Sequence, residues 1–440
     1  LRGPQSSVYG KNTPAGVISI ITKKPQREFG LDLEQTVGDY SARITRGSVT
    51  GPINESVSYR VSGNYNSRDG YIDNVQENRD SVNDRDRYAL RGQLLVEPSD
   101  ELSIRIIADT ASITEDCCGA PFFFNLPANA ARTTALGATL LPDNIYNREI
   151  KFDRALETDQ EQSGFSAQVD WTHDSFTFTS LSALRDFEET NDIDADFIDI
   201  ELSGVLQNSV DRQVITQEFR LQSIGDNGFD WLVGYYYYDA DQNTSAVNRL
   251  GNFARPFFDL AIGGIVTAVE GLKGAEAGSY ISSGTGRQSD FDLLTTSHSV
   301  FGKLDWHIND RLTASLGARW TTEDKDIDAL IVTDAPYSAI DFSDPASDPV
   351  VALLPLPVRG AAAAVQLFRP VPNFTEKRSE SEPTGELTVS YDYSNDVSLY
   401  ASAKRGYKAG GFNVSAGSGG ADFDKEIADA WELGAKIRTL

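Results

Sequence analysis

Two adjacent cysteines, Cys117 and Cys118, are the only thiols in the chain and the first residues whose type could support chemistry. In an oxidising compartment, adjacent thiols can join in a vicinal disulfide that stiffens the loop carrying it. Free thiols, or pairing with a cysteine in a segment outside these 440 residues, are the alternatives. Two cysteines alone do not predict a zinc or iron–sulfur site, because such sites use more ligands. We favour the vicinal disulfide.

A run of five carboxylates is the second candidate: it comprises Asp192, Asp194, Asp196, Asp199 and Glu201. A calcium site needs several such oxygens. However, the spacing does not match the loop of an EF-hand. We therefore interpret the run as a solvated loop, or as one that divalent cations bridge to lipopolysaccharide, and we predict no dedicated metal site and no cofactor.

Three histidines, His173, His298 and His307, are the only imidazoles in the chain. Nucleophilic catalysis needs a nucleophile beside a base that a third group orients. No serine and histidine pair stands out on one strand face, and the sequence has no G-x-S-x-G motif. We predict no catalytic residue and no enzymatic activity.

Composition narrows the class of protein further. The 440 residues carry a net charge of −26, which disfavours a nucleic-acid partner. Hydrophobic residues make up 40% of the chain, and its mean hydropathy is −0.34. No run of about 18 apolar residues occurs, so the sequence predicts no transmembrane helix. A transmembrane β-barrel would share this profile, because its strands are apolar on one face only.

Alternation of apolar and polar residues is the strongest pattern in the sequence. In segment 300–308 apolar residues or glycine occupy every second position, and segment 312–320 repeats the pattern after a short turn at Asn309–Arg311. Such a period of two predicts β-strands with one apolar face. We count about fourteen such segments after Phe29, most of them roughly 9 to 12 residues long, a length that suits a tilted transmembrane strand.

The predicted connections alternate between short and long. The short turns lie near 51–54, 98–100, 173–174, 225–228, 309–310 and 394–396. The long loops lie at 66–86, 113–160, 188–210, 240–297, 325–381 and 406–428. Sorting of long loops to one side is typical of outer-membrane barrels and is not required in a soluble sandwich.

Tryptophan positions agree with a barrel in a bilayer. Trp171, Trp231 and Trp306 are predicted near the strand ends that carry short turns, and Trp320 and Trp431 near the long-loop ends. Aromatic side chains favour the two membrane interfaces, where they form two girdles.

Three segments resemble one protein family. Residues 1–25 contain Arg-Gly-Pro, Tyr-Gly and a strand-like Gly-Val-Ile-Ser-Ile-Ile-Thr-Lys. This order is similar to the end of the plug domain in TonB-dependent receptors. Segments 399–413 and 431–436 resemble later barrel strands of the same family. The likeness marks Arg2, Gly3, Pro4, Tyr9, Gly10 and Gly16 as structural residues of a plug motif.

The resemblance implies an all-β fold, with residues 1–28 as the C-terminal end of a plug domain and 29–440 as part of a transmembrane antiparallel barrel. The family typically has 22 strands, so we expect a fragment with about fourteen of them. Within the plug remnant we expect Ile18 and Ile20 to share one face of a short buried strand. Arg2 could pair with a carboxylate of the barrel wall.

The resemblance also implies a function. Such receptors lie in the bacterial outer membrane, in contact with lipid and lipopolysaccharide, and take up scarce nutrients with energy delivered through TonB. We expect a monomer that transports a ferric siderophore or another iron complex. A passive porin-like channel, or uptake of an oligosaccharide or cobalamin, is the alternative. No ligand-binding residue can be assigned, and the histidine positions weigh mildly against haem.

Overall fold

The computed structural model describes residues 1–76, 81–225, 228–346, 348–413 and 422–438. Fourteen strands form one antiparallel sheet in which each strand pairs with the next large strand along the chain. Their bounds are β1 Gly30–Val37, β2 Arg43–Pro52, β3 Val57–Arg68, β5 Arg85–Ser99, β6 Leu102–Glu115, β8 Glu157–Thr172, β9 Phe176–Asp192, β10 Ser203–Ser223, β11 Phe229–Leu250, β12 Gly286–Asn309, β13 Leu312–Thr333, β14 Phe374–Ser394, β15 Val397–Lys408 and β18 Glu426–Ile437.

Short strands and helices belong to the connections. Two strand pairs are β4 Asp73–Asn74 with β7 Glu149–Ile150, and β16 Gly411–Phe412 with β17 Asp422–Phe423. The helices are α1 Ser6–Tyr9, α2 Pro127–Ala135, α3 Ala254–Ile262, α4 Ile265–Lys273, α5 Pro349–Leu353 and α6 Leu356–Ala364, with 3₁₀ turns at Ile145–Asn147 and Pro336–Ala339. In the described part of the chain, no helix has the length and apolar character that crossing a membrane would need.

The predicted sorting of the connections is confirmed. Six tight turns join β2 to β3, β5 to β6, β8 to β9, β10 to β11, β12 to β13 and β14 to β15. Apart from the tight turn between β1 and β2, the connections at the other end of the sheet are longer, and all of the short strands and helices α2 to α6 lie in them. We call the two ends of the sheet the short-turn side and the long-loop side.

Strand length differs from the prediction. Strands β10 to β14 of the sheet contain 21 to 24 residues, well beyond the expected 9 to 12. The hydrogen-bonded ladder continues where the apolar alternation stops, because pairing needs only backbone groups. Past Trp320, the same face of β13 carries Asp324, Asp326 and Asp328. Trp320 was predicted to lie near the long-loop end of its strand. It is instead the ninth of 22 residues in that strand.

The apolar face of the sheet points outwards. Leu304 pairs with Leu316, and Leu316 pairs with Leu387 on the next strand. These three side chains are 37%, 55% and 49% exposed, so they do not fill an interior core. An exposed apolar band with polar residues on the opposite face is the pattern of a membrane barrel wall. Strands β1 and β18 are the two edges of the sheet, and no described strand joins them.

The N-terminal segment 1–28 lies against the inner face of this sheet. Asn12 donates its backbone N–H to the Tyr407 carbonyl at 2.9 Å on the wall formed by β15. Further along, Arg105 donates to the Thr22 hydroxyl at 3.0 Å, and Gln26 donates its N–H to the Thr50 hydroxyl at 2.9 Å near the short-turn side. The segment thus crosses the lumen before β1 begins.

The expected buried strand within this segment is not found. Ile18 and Ile20 are 93% and 85% exposed, and residues 17–25 are not in a strand. A strand needs a partner for its backbone groups. Val17 exchanges two backbone hydrogen bonds with Leu1, but no described segment forms a ladder with residues 18–25. Apolar periodicity alone was therefore misleading here.

Candidate functional site

The contact between helix α1 and the wall of β12 to β15 is the best-defined interface inside the barrel. It is built mainly from polar groups. Arg319 donates to the Val8 carbonyl at 3.4 Å, and Thr384 donates to the Ser6 carbonyl at 3.3 Å. The Ser6 hydroxyl accepts the N–H of Tyr407 at 3.3 Å. These bonds satisfy backbone groups of a short segment that has little regular structure of its own.

A group of three charged side chains fastens the same segment. Lys11 forms an ion pair with Glu323 of β13, and Lys325 contacts the second oxygen of that carboxylate at 2.8 Å. Glu323 is buried, so its charge depends on these two ammonium groups. Burial, together with the positive charge of Lys325, lowers the pKa of Lys11 to about 8. The Lys11 ammonium also lies 4.9 Å from the centre of the Tyr238 ring, a cation–π contact.

Arg319 explains why Gly10 is a glycine. The buried guanidinium of Arg319 packs over the rings of Phe301 and Tyr236, at 4.9 and 5.6 Å. A Cβ at Gly10 would approach that guanidinium to 3.1 Å, and the φ of +86° is unfavourable for other residues. A side chain at position 10 would therefore disturb the contact between the segment and the wall.

A cavity of about 520 Å³ lies between the segment and the wall. Its lining is rich in phenol and cationic groups, and includes Lys11, Arg220, Tyr236, Tyr238 and Arg319. The one carboxylate in the lining, Glu218, is 3.1 Å from the Arg220 guanidinium. Such a lining can bind a ligand that carries negative charge or many oxygen atoms.

A larger cavity of about 1050 Å³ lies beside β1 to β6 and the residues Thr22 and Lys23. One of its walls is β1, whose second edge has no described strand partner. Part of its volume is therefore open space beside the sheet, and its shape says less about a ligand than the smaller cavity does.

The long loops pack into a layer with its own hydrophobic clusters. One cluster joins the loops that carry α3 to α6 and includes the fully buried side chains of Val266, Val269, Tyr337 and Val351. Burial raises the pKa of Glu270, but hydrogen bonds from Arg255 and two backbone N–H groups outweigh it and leave the pKa below its usual value. The paired Glu270 carboxylate fixes α4 to α3. An ordered loop layer can position residues for ligand capture.

Comparison with known proteins decides the family. The model of the TonB dependent receptor-like β-barrel family matches residues 121–439, which is most of the chain. The chain belongs to this family. Receptors of this kind are outer-membrane proteins of receptor and transporter type, and the family is not one of enzymes.

Relatives and solved structures agree with this membership. The ferrioxamine receptor of Yersinia enterocolitica is 27% identical over 109 residues, which cover 25% of this chain and 14% of that receptor. The crystal structure of the ferric yersiniabactin uptake receptor of Yersinia pestis matches with a TM-score of 0.74 at 15% identity, over 100% of this chain and 56% of that one.

The siderophore receptor PiuA of Acinetobacter baumannii matches with a TM-score of 0.67 at 13% identity, over 100% of this chain and 59% of that one. At such identities the two structural matches show the fold alone. The chain spans little more than half the length of these structures, and the matched region of the ferrioxamine receptor is shorter still.

Most residues of the predicted plug motif lie at or next to this interface. Pro4 and Gly10 are buried beside the wall, whereas Tyr9 is exposed. Gly3 and Gly16 sit in a turn-like arrangement in which Gly3 N–H donates to Ala15 and Gly16 forms a bridge with Arg2. Their assignment as structural residues stays a prediction.

The suggested ion pair of Arg2 with the barrel wall is not found. Its side chain is exposed and makes no ion pair with any residue that the structure describes. Lys11 takes that role, and sequence reasoning missed it. The sequence contains only a weak signal for this ion pair. Lys11 is the basic residue between Arg2 and Lys23, and Glu323 falls on the same inward-facing side of its strand as Arg319.

The remaining candidates lie away from this interface. The sulfurs of Cys117 and Cys118 are bonded to each other in the 116–156 loop; their redox state in the cell stays a prediction. His298 accepts or donates a hydrogen bond with the Tyr235 hydroxyl at 2.8 Å on the outer face. His307 contacts Asp230 at 2.9 Å near the short turns, and His173 lies in a short turn.

Proposed function

We propose that this receptor takes up a ferric siderophore across the outer membrane with energy supplied through TonB. The observation that carries the proposal is the docking of segment 1–28 inside the barrel wall, where Lys11, Glu323 and Arg319 hold it. A passive porin-like channel has no need of such a segment. We propose that it is the C-terminal end of a plug domain and that residues 29–440 form the barrel.

The polar character of this interface supports a plug that can move. An interface of hydrogen bonds and ion pairs can exchange its partners for water at low net cost, whereas a dry apolar interface cannot. A mechanical pull on the plug would therefore need to break only a limited set of contacts, centred on residues 6–12. TonB itself is proposed as the partner that applies this pull.

The cavity beside Lys11 and Tyr238 supports a role in ligand passage. Ferric siderophores present oxygen-rich, often negatively charged surfaces, which suit guanidinium, ammonium and phenol groups. The curated relatives include the ferrioxamine receptor named above, so we propose ferrioxamine as the first ligand to test. The ferric yersiniabactin complex is the next.

Uptake of radioactive iron tests the proposal. A strain lacking the complete gene should lose accumulation of ⁵⁵Fe from at least one ferric siderophore, and a plasmid copy should restore it. Restoration should fail in a strain without TonB. Uptake that persists without TonB would support a passive channel and contradict the proposal.

Growth tests separate iron from other nutrients. The deletion strain should grow poorly when iron is chelated and normally on single carbon sources in iron-rich medium. If growth on one oligosaccharide fails, or a cobalamin requirement appears, while growth under iron limitation is normal, the siderophore assignment is wrong and the alternative ligand class is correct.

A further inference from the structure

Three aspartates from two long loops meet in one place. Asp153 lies between β7 and β8, and Asp194 and Asp196 lie between β9 and β10. Each of them contributes a carboxylate oxygen, and these oxygens all lie within 4.8 Å of one another. Asp153 is more than 40 positions from the other two, so the acidic run in the sequence contains only part of this group.

Asp194 is the informative member, because its side chain is completely buried. One of its oxygens accepts the N–H groups of Asp196 and Phe197, at 3.2 and 3.0 Å. The other oxygen, Oδ2, has no hydrogen-bond donor among the described residues. A buried carboxylate oxygen without a donor is costly unless a cation or a proton is beside it.

The surrounding backbone holds the group in position. Asp196 accepts the N–H groups of Leu202 and Ser203 at 3.0 and 2.6 Å, which closes its loop around the carboxylate. The N–H of Asp153 donates to the Ile198 carbonyl at 3.2 Å and joins the two loops. The carboxylates therefore converge in a framework that the loops themselves maintain.

The basic side chains next to the three aspartates in the sequence form ion pairs with other acidic residues. Lys151 pairs with Asp199 at 2.7 Å, and Arg154 pairs with Asp192 at 2.7 Å. Their charges are therefore paired with acids outside the group of three.

We propose that Asp153, Asp194 and Asp196 bind one Ca²⁺ ion. Three carboxylates without thiol or imidazole ligands favour a hard cation. Ca²⁺ suits the site better than Mg²⁺, because Ca²⁺ accepts irregular sets of 6 to 8 oxygens and Mg²⁺ demands near-ideal octahedral geometry. Water would complete the coordination.

The position of the site indicates what the ion does. Phe152 and Phe197 lie next to these aspartates and belong to a cluster with Ile72, Val82 and Ile150. Ile198 and Ile200 belong to a second cluster that includes Phe253 from the next long loop. A cation between the clusters would clamp three long loops into one layer, and its removal would loosen them.

Calcium binding to full-length protein tests the site. The protein is refolded in detergent without lipopolysaccharide, treated with a chelator and titrated with Ca²⁺ by calorimetry. Asp194→Asn removes the charge and keeps the shape. Asp199→Asn is the matched control, because it lies in the same loop but pairs with Lys151.

The wild-type protein and Asp199→Asn should each bind one more Ca²⁺ than Asp194→Asn. A dissociation constant of about 0.1 to 1 mM, as in extracellular calcium modules, is expected. Mg²⁺ should bind more weakly, and equal or tighter binding of Mg²⁺ would overturn the assignment to Ca²⁺. Equal stoichiometry in wild type and Asp194→Asn would overturn the site itself.

Proteolysis of the loops provides the second measurement. Chelation should speed cleavage within 116–156 and 193–202 in the wild type and leave the cleavage rate of Asp194→Asn unchanged. If the carboxylates instead share a proton, cleavage of the wild type will not respond to Ca²⁺, and the proposal fails. Should Asp194→Asn not refold, as judged by heat-modifiable gel mobility, Asp153→Asn replaces it in both measurements.

Discussion

The substitution Glu323→Gln should release the N-terminal segment from the barrel wall. Glu323 lies between the ammonium groups of Lys11 and Lys325 and is buried. Glutamine keeps the shape but leaves two positive charges facing each other without their shared carboxylate. The perturbation therefore acts on charge and hardly on packing.

The expected loss of docking free energy follows from the burial of the Glu323 carboxylate. Removing one partner of a buried ion pair costs about 3 to 5 kcal/mol. We expect the lower end, because the side chain of Lys11 keeps 20% of its exposure and Glu380 still attracts it. A loss of about 3 kcal/mol corresponds to a factor of about 150 in the local opening equilibrium.

Hydrogen exchange of the Asn12 amide measures this opening. That N–H donates to the Tyr407 carbonyl at 2.9 Å, next to Lys11, so it exchanges only when the segment leaves the wall. In full-length protein in detergent, exchange of the peptide containing Asn12 should be about 150-fold faster in Glu323→Gln. Lys11→Met alone should have a much smaller effect, because Glu323 keeps Lys325.

Two controls make the reasoning refutable. Lys377→Met removes an exposed ion pair with Asp326 on the outer face and should leave Asn12 exchange unchanged. The double variant Lys11→Met with Glu323→Gln should regain much of the protection, because only one ammonium group remains. An Asn12 exchange rate in Glu323→Gln within about threefold of wild type, or no recovery in the double variant, would refute the electrostatic account.

Two further outcomes are expected. Leu387→Arg on the outward face should lower the unfolding free energy in lipid by about 2 to 4 kcal/mol, whereas Thr388→Arg, its inward neighbour, should cost far less in urea titrations. Mass spectrometry of protein purified from outer membranes should find the peptide with Cys117 and Cys118 two hydrogens lighter than its reduced form; full alkylation without a reductant would contradict the vicinal disulfide.

The fold could be predicted from the sequence because a membrane wall imposes a simple rule. Leu304, Leu316 and Leu387 had to lie on one face once the period of two was recognised, and the structure places them side by side. The extent of the strands could not be predicted in the same way. Asp324 and Asp328 continue the ladder of β13 in a region where the outward face meets water, so hydrophobicity no longer marks the strand.

The exposed Ile18 and Ile20 show the opposite error. Their alternation is strand-like, but a strand also needs neighbouring backbone, and hydrophobic pattern carries no information about which segment provides it. The loop clusters were equally hidden. Val266, Val269 and Tyr337 come from two loops about 70 residues apart, and no local sequence pattern links those loops.

The group of three aspartates illustrates why a motif search can miss carboxylates that meet in space. Asp194 and Asp196 were recognised as oxygen donors, but EF-hand spacing was the only criterion for a site. That criterion assumes that one continuous loop provides all ligands. Here the third carboxylate, Asp153, comes from another loop, and a backbone bond to Ile198 brings it into place.

The contact between segment 1–28 and the barrel wall depends on the heights of luminal side chains along the barrel, which the alternation of apolar and polar residues cannot predict. Alternation determines which side chains of a strand face the lumen, and it correctly assigned Arg319 to the polar face. It does not determine at what height in the barrel a luminal side chain meets the segment. Height depends on the register between strands and on where the segment crosses the lumen, and the bond from Thr384 to Ser6 spans 378 positions of sequence. The contact of Lys11 with Glu323 therefore depends on the register of every strand pair that connects them. A shift of two residues in the register of any one pair would give Lys11 a different partner. The contact among Lys11, Glu323 and Lys325 is therefore sensitive to the register of the barrel strands. For this reason, substitution of Glu323 should change the hydrogen exchange of the Asn12 amide, which is distant from it in the sequence.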